Sequence, residues 1–134
     1  VICNPADPLS HKGSVKIEQL LSRPLLLREA GSGTREIFDQ VMSSLDYAYT
    51  PVWESTSAEA LIKAVIKGLG IAVLPYMSIQ DELEKGSVIE LQVEKLDLSR
   101  GIHIVYHKNK FLTDLAKKFI AMCKDTSTTT HHIS

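Results

Sequence analysis

The sequence predicts an α/β fold, a mostly parallel sheet with helices on both faces. One observation is alternation: apolar runs of strand length alternate with segments whose apolar residues recur at helical spacing. Another is that residues 25–28 and 71–74 form nearly continuous apolar runs, which is typical of strands buried on both faces. Alternation of this kind brings successive strands side by side in parallel.

Composition restricts the class of protein further. The 134 residues are 44% hydrophobic and 23% charged, so the chain can form a core and is not disordered by composition. A formal net charge of −1 with interspersed signs argues against a nucleic-acid-binding surface. We expect two reduced thiols, no membrane span, no signal peptide and a cytoplasmic location. Because Val1 already lies in a strand-like run, we expect a fragment or an excised domain.

The first third of the chain predicts strand, helix, strand, helix. Residues 1–3 are β-prone, and the proline-containing segment 4–8 stops them. Residues 14–21 form a short amphipathic helix. Strand 25–28 leads through a glycine-rich loop into a helix over residues 34–45, whose apolar residues form one stripe.

The middle of the chain repeats this unit. Residues 47–54 predict a strand containing the single tryptophan, Trp53, for which a core or wall position is favoured. Ser55, Thr56 and Ser57 cap a helix that ends at two glycines, and strand 71–74 follows.

The last part predicts four elements and a tail. A short helix covers residues 78–83, and residues 87–93 and 101–107 alternate as strands do. A final helix covers residues 112–123, and residues 125–134 form a frayed, flexible tail.

Two clusters of small and hydroxyl residues mark the candidate site. Ser32, Gly33 and Thr34 follow one strand, and Ser55–Ser57 follow the next, so both should lie at the same end of the sheet. The first N–H groups of a helix lack intrahelical partners and carry partial positive charge, which suits an anionic or oxygen-rich ligand. The alternative is that these residues only cap and turn the chain.

No catalytic or metal-binding set is recognisable. Gly31-Ser32-Gly33 is neither a nucleophile elbow nor a dinucleotide fingerprint, and a phosphate-loop lysine is absent. His103 and His107 are predicted to be ordinary strand residues. Glu29 is predicted to face a ligand or to form an ion pair. We therefore expect no enzyme activity, no cofactor and no metal.

The motifs together resemble the effector-binding domain of LysR-type transcriptional regulators. Residues 25–35 resemble the family's "R-E-x-G-S-G-T-R" stretch, and residues 57–65 its "S-x-E-A-I-K-x-A-V" helix. Residues 68–75 resemble "G-x-G-I-A-x-L-P", and later segments at 83–86 and 106–108 follow in order. Residues 6–9 resemble its "x-H-P-L" turn, with Asp7 in place of histidine.

The resemblance implies two Rossmann-like lobes, as in periplasmic binding proteins, around an effector cleft. Residues 1–8 would be the crossing strand from the first lobe, residues 9–74 the second lobe and residues 75–124 the return to the first lobe. It also implies a winged helix-turn-helix domain, absent from this sequence, through which alone the parent protein would bind DNA.

By this resemblance, a small-molecule or anionic effector contacts the two loops, and the family's domains form a homodimer or a higher homo-oligomer. The apolar helix 58–69 is a candidate for part of that interface, with a core face as the alternative explanation of its stripe. A solute-binding protein of a transport system is the alternative function, and an enzyme on the same scaffold is a third. The predicted effector-binding residues are Glu29, Ser32, Gly33, Thr34, Ser55, Thr56 and Ser57.

Overall fold

A computed structural model describes residues 1–99, 101 and 103–127, with side chains through residue 124. The chain divides into two compact units, residues 1–98 and the part from Ser99 onward. Across the described residues, none of the helices has the length and apolar character needed to span a bilayer.

The first unit is built on a sheet of five strands in the order β3-β2-β4-β1-β5. β2 is parallel to β3 and β4, whereas β1 is antiparallel to both β4 and β5. Four of the five strands therefore run in one direction, which confirms the predicted mostly parallel sheet. The strands are β1 (Ile2–Cys3), β2 (Leu25–Arg28), β3 (Trp53–Ser55), β4 (Ile71–Ala72) and β5 (Ile89–Glu90).

Helices cover both faces of this sheet, as the sequence predicts. Leu25 and Leu27 of β2 belong to one buried cluster, and Leu26 between them belongs to another, because successive side chains of a strand point to opposite faces. Phe38 of α2 packs in the first cluster and Leu61 of α3 in the second. The helices of this unit are α1 (Ile17–Leu21), α2 (Gly33–Ser44), α3 (Ala58–Ile66) and α4 (Tyr76–Glu84).

The strand order explains why α2 and α3 lie on opposite faces. The chain passes from β2 outward to β3 through α2, and then returns across β2 to β4 through α3. Crossovers between parallel strands are right-handed, so a reversal of direction moves the connecting helix to the other face. A reversal of this kind creates the edge at which α/β sheets bind ligands.

The apolar stripe of α3 is core. Leu61, Ile62, Ala64 and Val65 are all buried within this chain, so they do not form a free dimer surface. Of the apolar residues in the predicted 58–69 segment, Leu69 is the exposed one, and it lies beyond the helix end.

The predicted lobe boundaries at residues 9 and 74 stay a prediction. The sheet takes strands from all three predicted segments, since β1, β2 and β5 lie within residues 1–8, 9–74 and 75–124 respectively.

The second unit contains α5 (Asp114–Ser127), which confirms the final helix. The predicted strand at 101–107 is wrong for residues 101 and 103–107, which form neither helix nor strand. Its alternating pattern is present, but a strand needs a partner, and no described strand pairs with it. The predicted tail starts too early, because α5 continues to Ser127; residues 128–134 lie outside the described residues.

Candidate functional site

The two predicted loops leave the same edge of the sheet. β2 and β3 are parallel neighbours, with Arg28 opposite Ser55 in the register. The loop to α2 starts directly after Arg28, and the loop to α3 starts directly after Ser55. Two helix starts therefore lie side by side at the carboxyl ends of adjacent strands, as the order of elements predicts.

In the first loop, Ser32 caps α2. Its Oγ accepts a hydrogen bond from the N–H of Arg35 at 3.3 Å, and its own N–H donates to the carbonyl of Glu29 at 3.2 Å. Gly31 makes the turn with a φ of 90°, a left-handed conformation that favours glycine. The capping role, which the sequence leaves open as the alternative to ligand contact, is thus present in Ser32.

The cap leaves other donors of this helix start without a partner. Gly33 and Thr34 begin α2, where N–H groups have no intrahelical acceptor. Within the described chain, the hydrogen bonds of the first turn use the N–H groups of Ser32, Arg35 and Glu36 and not those of Gly33 and Thr34. Gly33 is exposed and Thr34 half-buried, so both are accessible to a ligand.

Glu29 forms an ion pair with its neighbour. Arg28 Nε donates to Glu29 Oε2 at 2.9 Å, and Arg28 Nη2 donates to Oε1 at 3.0 Å. These hydrogen bonds lower the pKa of the Glu29 carboxyl. Of the two predicted roles for Glu29, the ion pair is present.

The second loop repeats the serine cap. Ser57 Oγ accepts from the N–H of Ala60 at 3.1 Å and caps α3. Ser55 Oγ accepts from the N–H of Ser57, also at 3.1 Å, which stabilises the turn between strand and helix. Thr56 lies exposed between them. All seven predicted residues therefore lie in the two loops or at the adjoining ends of β3 and α2, and ligand contact by them stays a prediction.

Arg35 connects the two loops, a role that the sequence prediction missed. Its Nη1 donates to Glu54 Oε1 of β3 at 2.7 Å and to the carbonyl of Arg28 at the end of β2 at 3.1 Å. Its Nε donates to Asp39 Oδ1 one turn further along α2 at 2.8 Å. Its guanidinium also lies 5.6 Å from the ring centroid of Tyr49.

These contacts decide the charge state of Arg35. Burial disfavours the charged form, but the hydrogen bonds to Glu54 and Asp39 outweigh it and raise the pKa of the guanidinium. The side chain is only 12% exposed. Arg35 is thus a permanently charged residue whose charge is already balanced inside the protein.

Both arginines beside the loops are neutralised by carboxylates. Arg28 is paired with Glu29, and Arg35 with Asp39 and Glu54. Residues 29–34 and 55–58 contribute no other basic side chain. On this edge the groups available to an anion are therefore backbone N–H groups and hydroxyls, which bind oxyanions at helix starts.

An open groove of about 490 Å³ lies beside α2, and none of the seven predicted residues lines it. The groove lies between this helix and the segment that carries Tyr47 and Tyr49. The hydroxyls of these two tyrosines donate to Glu18 and Asp39 respectively. The groove is lined by Arg35, Asp39, Met42, Ser43, Asp46, Tyr47, Ala48 and Tyr49.

Metal-binding geometry is not found in the described part of the chain. No three histidine, cysteine or acidic side chains there are arranged to hold an ion. Cys3 is buried in the sheet, and burial raises the pKa of its thiol to about 11.

Comparison with known proteins identifies related chains. The family model of the LysR substrate binding domain matches residues 1–128. YeiE of Escherichia coli K12, an uncharacterized HTH-type transcriptional regulator, is 37% identical over 123 residues, covering 92% of this chain and 42% of YeiE. The transcriptional activator CmpR of Synechocystis is 34% identical over 120 residues, covering 90% and 40%. The chain thus spans about two fifths of the length of these relatives.

Solved structures share the fold. The Synechocystis CcmR regulatory domain in complex with 2-PG matches with a TM-score of 0.79 at 22% identity, over 96% of this chain and 62% of that one. The effector binding domain of QuiR in complex with shikimate matches with a TM-score of 0.69 at 15% identity, over 96% and 60%. At these identities the likeness establishes a common architecture.

Proposed function

Because the chain belongs to the LysR substrate-binding domain family, we propose that it is the effector-sensing part of a DNA-binding transcription regulator. The observation that carries the proposal is a pair of helix starts, both lined by hydroxyl groups, that follow two adjacent parallel strands. A small anionic or oxygen-rich effector binds there, between this edge and a second lobe supplied largely by sequence outside this chain. Binding shifts the arrangement of the attached DNA-binding domains.

The ligand contacts that we propose are specific. The free N–H groups of Gly33 and Thr34, with the hydroxyls of Thr34 and Thr56, donate to the effector's oxygen atoms. Ser32, Ser55 and Ser57 hold these donors in place through their caps and turns, and their hydroxyls can donate to the effector as well.

The remaining features of the proposal follow from the family. DNA binding belongs to a domain outside this chain. The net charge of this chain itself is −1. The parent works in the cytoplasm as a homodimer or higher homo-oligomer, and without enzymatic turnover. Family membership favours this function over a solute-binding protein of a transport system.

The test is a thermal-shift screen on the full-length protein. The panel contains inorganic phosphate, sulfate, shikimate and 2-PG, the last two being the molecules in complex with QuiR and CcmR. A ligand at 100 times its dissociation constant should raise the free energy of unfolding by about 2.7 kcal/mol. A ligand that stabilises the wild-type protein, and stabilises the Thr34→Val variant less, supports the site. If no ligand stabilises the protein even after the panel is extended to further small organic anions, the proposed site is contradicted.

The upstream sequence separates the two functions. A helix-turn-helix pattern before this chain supports the regulator. A signal peptide in its place supports a secreted solute-binding protein.

A further inference from the structure

Arg35 is the only side chain in the two loops and their flanking turns that bonds to both β2 and β3. Its Nη1 reaches the carbonyl of Arg28, the last residue of β2, and the carboxylate of Glu54, next to the last residue of β3. Its own backbone N–H donates to Ser32 Oγ. One residue therefore contacts the cap of α2 and the ends of both strands from which the loops leave.

From this geometry we infer that Arg35 is the positioning residue of the proposed effector site, fixing the distance between the two hydroxyl-lined helix starts. The inference rests on the proposed function, because it assigns Arg35 a role in that same site. Arg35 does not itself donate to the effector, since its side chain is mostly buried and is paired with two carboxylates.

The arginine fork is essential to this role. A guanidinium can donate in several fixed directions at once, whereas a lysine ammonium is a point charge on a flexible stem. Lysine at this position can keep the charge and one partner, but it cannot hold Asp39, Glu54 and the Arg28 carbonyl together. The conservative Arg35→Lys change is therefore expected to loosen the link between the strands.

The two carboxylate partners of Arg35 have different structural roles. Asp39 lies on α2 itself, so its bond to Arg35 stays within one helix and connects onward to the hydroxyl of Tyr49. Glu54 lies on β3, so its bond to Arg35 is the one that joins the two loops. Glu54 is half exposed, which makes Glu54→Gln the mildest way to weaken the link.

The first measurement is amide hydrogen exchange in the full-length protein. For Glu54→Gln and Arg35→Lys we expect exchange in peptides covering 29–36 and 54–60 to accelerate about tenfold, the change that follows from losing one charge-assisted hydrogen bond. Peptides covering 1–4 and 71–74 in the middle of the sheet should be unchanged. The matched control is Lys63→Gln, which breaks an equally short ion pair with Glu59 on the exposed face of α3.

The second measurement is the inorganic phosphate concentration that gives half-maximal thermal stabilisation. This concentration should rise about tenfold in Glu54→Gln, because a smaller fraction of the molecules then holds the two loops in the binding arrangement. It should stay unchanged in Lys63→Gln. A mere stability role for Arg35 would lower the melting temperature without moving the midpoint, so the midpoint is the decisive readout.

The possible outcomes separate this inference from the proposed function. Faster exchange confined to both loops, with a raised phosphate midpoint, supports Arg35 as the positioning residue. Unchanged amide exchange in the loops, faster exchange spread evenly over the sheet, or an unchanged phosphate midpoint would overturn it. If the wild-type protein responds to no anion at all, the proposed function fails, and the exchange of the two loops alone decides whether Arg35 links them.

Discussion

The side chain of Asn4 donates from Nδ2 to the carbonyl oxygen of Ile66 at 2.7 Å and thereby ties the segment after β1 to the end of α3. The last carbonyls of a helix have no intrahelical donor, so this bond satisfies one of them. Asn4 Oδ1 also accepts from the N–H of Ala6 at 2.8 Å, which shapes the proline-containing turn. A single amide side chain thus holds two segments distant in sequence.

Replacement of Asn4 should destabilise the first unit. Asn4→Ala removes both bonds and leaves a helix-end carbonyl without its donor, which should cost about 1–3 kcal/mol. The free energy of unfolding from urea titration is the measurement. Gln80→Ala, which breaks an exposed bond to Glu84 within α4, is the control and should change stability by less than about 0.5 kcal/mol. An equal effect of both changes would contradict the prediction.

Gly70 should not tolerate any side chain. A Cβ at this position would lie 2.4 Å from the carbonyl oxygen of Pro24 and 3.0 Å from the Leu26 side chain, where β4 meets β2. The N–H of Ile71 donates to that same carbonyl at 2.9 Å, so the backbone cannot move away without losing a bond. Gly70→Ala should therefore destabilise the protein by about 1–3 kcal/mol or more.

The control for this prediction is Gly13→Ala. A Cβ at Gly13 would meet nothing within 4 Å, and its backbone has no left-handed φ. Gly13→Ala should leave the denaturation midpoint almost unchanged. A Gly70→Ala protein with wild-type stability would show that the two strands can separate without cost.

Stability should fall at alkaline pH because of Cys3 and Tyr49. Burial, with the nearby charge of Asp7, raises the pKa of Cys3 to about 11, and burial with the bond to Asp39 raises the pKa of Tyr49 to about 12. Above the thiol's ordinary pKa of 9.0 the unfolded chain releases this proton while the folded chain keeps it. The free energy of unfolding therefore declines as pH rises from about 9 towards 11.

The slope with pH is the quantity to measure. Urea titrations between about pH 8 and 11 should show a steeper decline for the wild-type protein than for Cys3→Ala, whatever the absolute stability of that variant. Parallel curves for wild type and Cys3→Ala would show that the thiol does not ionise differently in the two states.

Capping and ligand contact can be separated by two substitutions in one loop. Ser32→Ala removes the cap of α2 and should cost about 0.5–2 kcal/mol of stability. Thr34 makes no side-chain hydrogen bond among the described residues, so Thr34→Val should leave stability nearly unchanged. If Thr34 contacts the effector, thermal stabilisation by that effector should decrease in Thr34→Val, whereas a residue that only completes the helix would leave it intact.

The architecture and the loops were predictable because they depend on local pattern. Ser57 caps α3 as predicted, and Ser32 caps α2 as the alternative to ligand contact foresaw, since a hydroxyl before an apolar stripe is a local signal. The parallel arrangement of β2 and β3 follows from their alternation with a helix. These two rules were sufficient to locate both helix starts at one edge.

Long-range partners were not predictable in the same way. The bond from Arg35 to Glu54 depends on the register of β3, and the strand was predicted at 47–54 although it covers Trp53–Ser55. Tyr49 instead packs edge-on against Phe38, with ring centroids 5.0 Å apart. Aromatic residues before Pro51 suit a strand and a packed loop equally well, and only tertiary contacts decide between them.

The position of β1 has a consequence for how the chain folds during synthesis. Its two residues leave the ribosome before the strands with which they pair, at Ala72 of β4 and at residues 89–90 of β5. The strand must therefore wait unpaired until α2, α3 and β4 have been made, and pairings between distant parts of a chain close slowly. A nascent chain stalled before residue 89 would carry an incomplete sheet, with one edge of β1 open to other strands.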